Sequence, residues 1–133
     1  MIVGVADTHT ALWYLFDDER LSSAAGTFID EAAARHQKIA ISSISLAEVV
    51  YLIEKNRLPS SAMDELMDAL ADPDQVFTEA VFNAAIVQAM RSVSRVEVPD
   101  MPDRIVAATG TYFGVPVLSR DRRIRAARIK TVW

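Results

Sequence analysis

One alternation constrains this chain more than any other. Short strand-like runs are separated by longer stretches whose apolar residues recur every three to four positions. The first run, Met1-Ile2-Val3-Gly4-Val5-Ala6, is uncharged and mostly apolar. Such a run reads as a strand buried on both faces, as in a parallel sheet. Further strands are expected at Lys38–Ile41, Gln75–Thr78, Val115–Leu118 and Lys130–Trp133. The spacing predicts helices from Thr8 to about Phe16, from Ser22 or Ser23 to about His36, through Leu46 to Ile53, and from Ala62 to Ala71. Later helices are expected from Phe82 to about Val93, from Asp103 to Phe113 with Gly114 as its C-terminal cap, and from Asp121 to Ala127. Strands alternating with helices predict an α/β fold, a parallel sheet covered on both faces. One domain over residues 1–133 is expected from the length.

Composition narrows the chemistry. With 51% hydrophobic and 24% charged residues the chain is not a disordered one. There is no cysteine, which excludes disulfide frameworks, thiolate metal sites and thiol nucleophiles. His9 and His36 are the only imidazoles, so a histidine-rich metal site is excluded too. No apolar run approaches the ~20 residues of a membrane span. No signal-peptide pattern is visible, and a cytoplasmic protein without membrane association is expected.

What remains is carboxylate chemistry. Asp7 stands where the first strand stops and a helix starts, the edge at which open α/β sheets bind ligands. Alone it could be no more than an N-cap. Other acids follow other apolar runs: Glu48 lies one to two turns into the helix after the second strand, and Asp121 three residues after Leu118. Asp103 opens a helix, with Asp100 one turn earlier. Glu48 shares its helix face with Ile44, Ser45, Tyr51 and Leu52, so it points toward the body of the protein. It then needs a cation or donors, the plain alternative to a site being a salt bridge to Arg104 or a neighbouring arginine. Asp100, Asp103 and Asp121 could each serve a helix start. Together at one edge, such carboxylates repel unless a cation neutralises them, and hard oxygen donors favour Mg²⁺ or Mn²⁺. Ions of that kind support phosphodiester cleavage.

The net charge of −4 conceals a division. Residues 1–90 carry 5 basic and 14 acidic side chains, whereas residues 91–133 carry 9 basic and 4 acidic. Arg120, Arg122, Arg123, Arg125, Arg128 and Lys130 crowd one short segment around Asp121. A solvated helix face would explain them, and so would contact with phosphates.

Five segments carry a resemblance: Asp7-Thr8-His9-Thr10-Ala11-Leu12-Trp13, Ile41-Ser42-Ser43-Ile44-Ser45-Leu46-Ala47-Glu48, Asp103-Arg104-Ile105-Val106-Ala107-Ala108-Thr109, Leu118-Ser119-Arg120-Asp121 and Thr131-Val132-Trp133. In order and spacing they resemble PIN-domain proteins, most closely the VapC ribonuclease toxins of toxin–antitoxin pairs. The resemblance implies a five-stranded parallel sheet flanked by about seven helices, and a Mg²⁺- or Mn²⁺-dependent endoribonuclease. It places an acidic quartet on Asp7, Glu48, Asp103 and Asp121. Asp7 and Asp103 would be direct metal ligands, while Glu48 and Asp121 would hold the ion's waters. Ser119 matches a small hydroxyl residue that supports the site. The implied partners are RNA, a second copy of the chain, and a small VapB-type antitoxin. One departure is Asp100-Met101-Pro102-Asp103-Arg104, where proline falls one residue later than the family's usual place. This leaves Asp100 and Asp103 as competitors for the metal, and Asp103 is preferred.

With an acidic site in place, Arg120, Arg122 and Arg123 become candidates for holding the RNA backbone, while His9 is expected at a helix start without a catalytic task. Three other readings compete. A PIN nuclease of RNA processing outside toxin–antitoxin systems would share every motif. A phosphatase or response-regulator domain also puts Asp after its first strand, but the phosphatase pattern wants a second acid where His9 stands. A non-catalytic RNA- or protein-binding module would keep the fold, yet all four acids are present.

Overall fold

The chain begins with β1 (Ile2–Ala6), α1 (Thr8–Leu15), α2 (Ser23–Ala34), β2 (Lys38–Ser42), α3 (Ser43–Glu54) and α4 (Ser61–Ala71). It continues with β3 (Phe77–Ala80), α5 (Ala84–Met90), α6 (Met101–Phe113), β4 (Val117–Leu118), α7 (Arg122–Ala126) and β5 (Thr131–Val132). These elements come from a computed structural model that describes all residues from 1 to 133. The strands form one sheet in the order β3-β2-β1-β4-β5, with every neighbouring pair parallel. The expected five-stranded parallel sheet and seven helices are both present.

Strand alternation divides the core into two layers. Ala6, Ile39, Ile41 and Leu118 face one layer with Leu12, Ile29, Val49 and Leu66 from α1 to α4. Their strand neighbours Val5, Ala40 and Val117 face the other, with Ile86, Val106 and Ile124 from α5 to α7. Val5, Ile39, Ile41, Val117 and Leu118 are wholly buried. Each such side chain contributes on the order of 1.5–3 kcal/mol relative to exposure, which fixes the register of the central strands. Close approach also matters: a Cβ on Gly110 would lie 2.7 Å from Val117 Cγ2, so α6 packs onto β4 at a distance only glycine allows.

The order of strands positions the site. The chain builds outward from β1 through β2 to β3, then crosses back to lay β4 on the other side of β1. The reversal leaves a crevice beyond the carboxyl ends of β1 and β4, where sheets of this kind take ligands.

Elements β3, α5, α6 and β4 are bounded differently from expectation. Strand β3 runs over Phe77–Ala80 rather than 75–78, because Asp72 to Gln75 form a turn held by the Asp74 amide on Asp72 Oδ1 and the Gln75 amide on the Asp72 carbonyl. Helix α5 is shorter than 82–93; Asn83 caps its start, and Arg104 donates to the carbonyls of Met90, its last residue, and of Val93 just beyond. Helix α6 starts at Met101, two residues early, because Asp100 is the cap. Strand β4 is confined to Val117–Leu118, since the Val115 amide still bonds the Gly110 carbonyl and Pro116 has none to give.

Candidate active site

Every acid but Glu48 is presented by a turn that follows a strand or opens a helix. Asp7 leaves β1 with its amide on the Leu118 carbonyl at 3.2 Å, so the β1–β4 pairing itself sets its backbone. Its Oδ1 accepts the Thr10 amide at 2.9 Å as the N-cap of α1, and its Oδ2 accepts the Ser119 hydroxyl at 2.5 Å. Ser119 is wholly buried, and its oxygen also accepts the Asp121 amide at 3.0 Å. Asp121 then caps α7, taking the Arg123 and Ile124 amides on Oδ1 at 2.9 and 3.1 Å. One buried hydroxyl thus ties the acid after β1 to the acid after β4.

Glu48 is reached differently. Ser42 caps α3 directly after β2, and the Ser43 hydroxyl accepts the Phe82 amide at 2.9 Å, fixing the helix start against the next crossover. Within α3, Glu48 Oε1 accepts the hydroxyl of buried Thr8 at 2.5 Å. The alternative partner is ruled out: Arg104 turns away to the Val93 and Met90 carbonyls, and the only salt bridge of the protein joins Arg20 to Asp18.

Asp100 and Asp103 divide their tasks. Asp100 is exposed and caps α6, accepting the Asp103 amide on Oδ2 at 3.1 Å. Asp103 is half-buried in the first turn, beyond Pro102. Burial, and then the charges of Asp100, Asp121 and Glu48, push the Asp103 carboxyl up to about 7.

These residues line one cavity of about 440 Å³, walled by Asp7, Glu48, Asp100, Asp103 and Asp121, with His9, Trp13, Arg20 and Arg120 completing it. All four acids singled out from the sequence are there, and Arg120 with them; Ser119 lies just beneath, while Arg122 and Arg123 stand exposed on α7 outside the lining. A larger depression of about 740 Å³ adjoins α2, but two of its four acids have other partners: Asp18 binds Arg20 and Asp30 accepts the Tyr14 hydroxyl.

The donor set is all oxygen and suits a hard cation. As the side chains stand, no three of them close into a ready ligand cluster. A hydrated ion needs none, because Mg²⁺ keeps several waters and takes only one or two carboxylates directly. Burial first and the neighbouring carboxylates second raise the proton affinity of Asp103, and a bound cation would offset both.

A family model, that of the PIN domain, matches residues 5–130. The chain belongs to the PIN domain family. Among curated relatives, Ribonuclease VapC22 of Mycobacterium tuberculosis (strain ATCC 25618 / H37Rv) is 28% identical over 141 residues, covering 100% of each chain. The crystal structure of VapBC2 from Rickettsia felis, bound to a DNA fragment from their promoter, contains a chain that superposes with a TM-score of 0.70. That match has 15% identity and covers 98% of this chain and 97% of the other. A toxin–antitoxin complex from Klebsiella pneumoniae gives a TM-score of 0.58 at 20% identity, covering 92% and 91%. At these identities the two structures share the fold of this PIN domain.

Three residues of the PIN domain's cavity region escape a reading of the sequence. Thr8 holds Glu48, yet it sits in a helix start where a hydroxyl is unremarked. Trp13 looks like core and lines the cavity wall. Arg20 belongs to what reads as an exposed acidic turn; the Asp18-Glu19-Arg20 spacing, which lets Arg20 fold back on Asp18, was the available signal.

Proposed function

We propose that this chain, acting over residues 1–133 as a single PIN domain, is a divalent-metal-dependent endoribonuclease and the toxin of a toxin–antitoxin pair. The observation that carries the reading is the assembly of Asp7, Glu48, Asp103 and Asp121 around one cavity at the switch point of the sheet. The relative named Ribonuclease VapC22, which matches along the whole chain, supports the ribonuclease assignment. A small VapB-type antitoxin and a homodimer are proposed from the motif resemblance to VapC toxins.

Asp7 and Asp103 would hold Mg²⁺ or Mn²⁺, with Glu48 and Asp121 bonded to its waters. The ion would supply Lewis-acid activation of the scissile phosphate and of water. The chain's own work is positional. Ser119 and the Thr10 amide orient both oxygens of Asp7, and Thr8 fixes the carboxylate of Glu48, which can then receive a proton from the attacking water. Arg120 at the rim, with Arg122 and Arg123 on the adjoining α7, would meet phosphates of the RNA backbone.

The test is cleavage of cellular RNA by purified protein freed of any partner, with Mg²⁺ or Mn²⁺, with EDTA, and with Asp7→Asn. Asn still caps a helix, so α1 survives while the ligand charge is lost. Discrete products that vanish with EDTA and fall by about 10²-fold or more with Asp7→Asn are expected. Equal cleavage by wild type and Asp7→Asn would refute the assignment of the site.

A further inference from the structure

Two guanidinium groups from opposite ends of the chain share the acidic cavity. Arg20 lies in the turn after α1, and Arg120 lies between Ser119 and Asp121 after β4. Both stand over the indole of Trp13, at 5.1 and 4.7 Å from the ring centroid. Trp13 is only 6% exposed and is further enclosed by His9 at 5.7 Å and Trp133 at 5.9 Å. So enclosed, the indole is no platform for an incoming base. It is a mount for the arginines, attracting each through its ring quadrupole.

The two arginines retain donors to offer. Nε and Nη2 of Arg20 donate to the two Asp18 oxygens at 3.0 and 2.7 Å, which fixes the fork but leaves other N–H groups of its guanidinium free. Arg120 forms no salt bridge, although five acids line the same cavity. A polyanion approaching those five carboxylates is repelled except where cations stand. Planar guanidinium forks match phosphate oxygens in pairs.

We propose that Arg20 and Arg120, mounted on Trp13, form a two-pronged clamp for the phosphates flanking the one that is cleaved. The clamp rests on the ribonuclease reading and selects Arg120 over its neighbours on α7. It also adds a cation from a turn a hundred residues away in sequence.

The test measures binding apart from cleavage. A labelled single-stranded RNA is titrated by anisotropy with Asp7→Asn protein in Mg²⁺ across a salt series, alone and with Arg120→Gln, Arg20→Gln or both. Both arginines are exposed, so the fold should persist, and thermal unfolding checks this. Arg35→Gln, at the far end of α2, is the control. Each clamp substitution is expected to lower the slope of log K against log salt by about 0.7, and to weaken binding about fivefold at ~0.1 M salt. Arg120→Lys should keep the slope and still bind several-fold more weakly, because lysine has the charge without the stacked fork. An unchanged slope in the double variant, with wild type still cleaving RNA, overturns the clamp alone. A lysine variant equal to wild type overturns the mount on Trp13. If no RNA binds and wild type cleaves none, the clamp and the ribonuclease reading fall together.

Discussion

Ser119 donates its hydroxyl to Asp7 across 112 positions of sequence, at 2.5 Å, from a wholly buried site. The same oxygen accepts the Asp121 amide, so Ser119→Ala leaves both groups short of a partner. A stability loss of about 1–3 kcal/mol is expected, read by denaturant unfolding. Calorimetric titration with Mn²⁺ should show affinity down by about 10- to 100-fold, the usual effect of losing a residue that orients a ligand. Unaltered Mn²⁺ affinity would mean that Asp7 needs no such support.

Thr8 serves Glu48 in the same manner from a different helix. Thr8→Val keeps the shape and the branching but removes the donor. The expected result is a fall in kcat of about tenfold with little change in the melting temperature, since Glu48 is half-exposed and can turn to water. A large loss of stability with normal kcat would instead make the Thr8–Glu48 bond purely structural.

Asp103 gives the metal-free protein a pH dependence. Its carboxyl in the folded state is pushed up to about 7, above the ordinary aspartate value, by burial and by Asp100, Asp121 and Glu48. Between the unfolded and folded values the native state holds a proton that the unfolded chain has released, so stability falls as pH rises through that window. In EDTA the melting temperature should therefore drop from pH 5 to pH 8, and Asp103→Asn should flatten that drop. Protons and cations compete for the carboxylate, so Mg²⁺ should raise the melting temperature more at pH 8 than at pH 6. An Asp103→Asn protein with the wild-type pH profile would place the repulsion elsewhere.

Gly110 tests the packing behind the site. Alanine would favour the helix by up to ~1 kcal/mol, yet its methyl meets Val117 Cγ2 at 2.7 Å and the Val115 carbonyl at 3.2 Å. A valine cannot swing aside as a long side chain can, so a net loss of about 1–2 kcal/mol is expected by chemical denaturation. A stabilised variant would show that α6 can lift from β4 without strain.

How much of this was legible depended on range. Strands β1 and β2 can be read because apolar runs buried on both faces carry their own signal. Asp7, Glu48 and Asp121 can be read because each comes after such a run, and Asp103 because it stands at a helix start. The start of α6 was misplaced although Asp100 precedes Pro102, since either Asp100 or Asp103 could have capped it. The end of α5 could not be read locally, for it adjoins the carbonyls held by Arg104, 14 and 11 residues further on. Arg20 shows the same limit: its place at the cavity depends on Trp13 and Asp18 through a turn whose composition reads only as exposed. Arg120 can be found because it sits beside Asp121, whereas Arg122 and Arg123, as near in sequence, stand exposed on α7 outside the cavity lining.

The strand order has a consequence for how the protein comes into being. A ribosome makes Asp7 more than a hundred residues before Asp121, and β4, which brings them together, emerges after β1, β2 and β3. A nascent chain that has released β1, β2 and β3 can pair those strands but owns only part of the acidic cluster. On the ribonuclease reading, a chain that has released only these strands lacks Asp121 and the β4 pairing that sets Asp7. The full acidic quartet forms only after β4 has emerged.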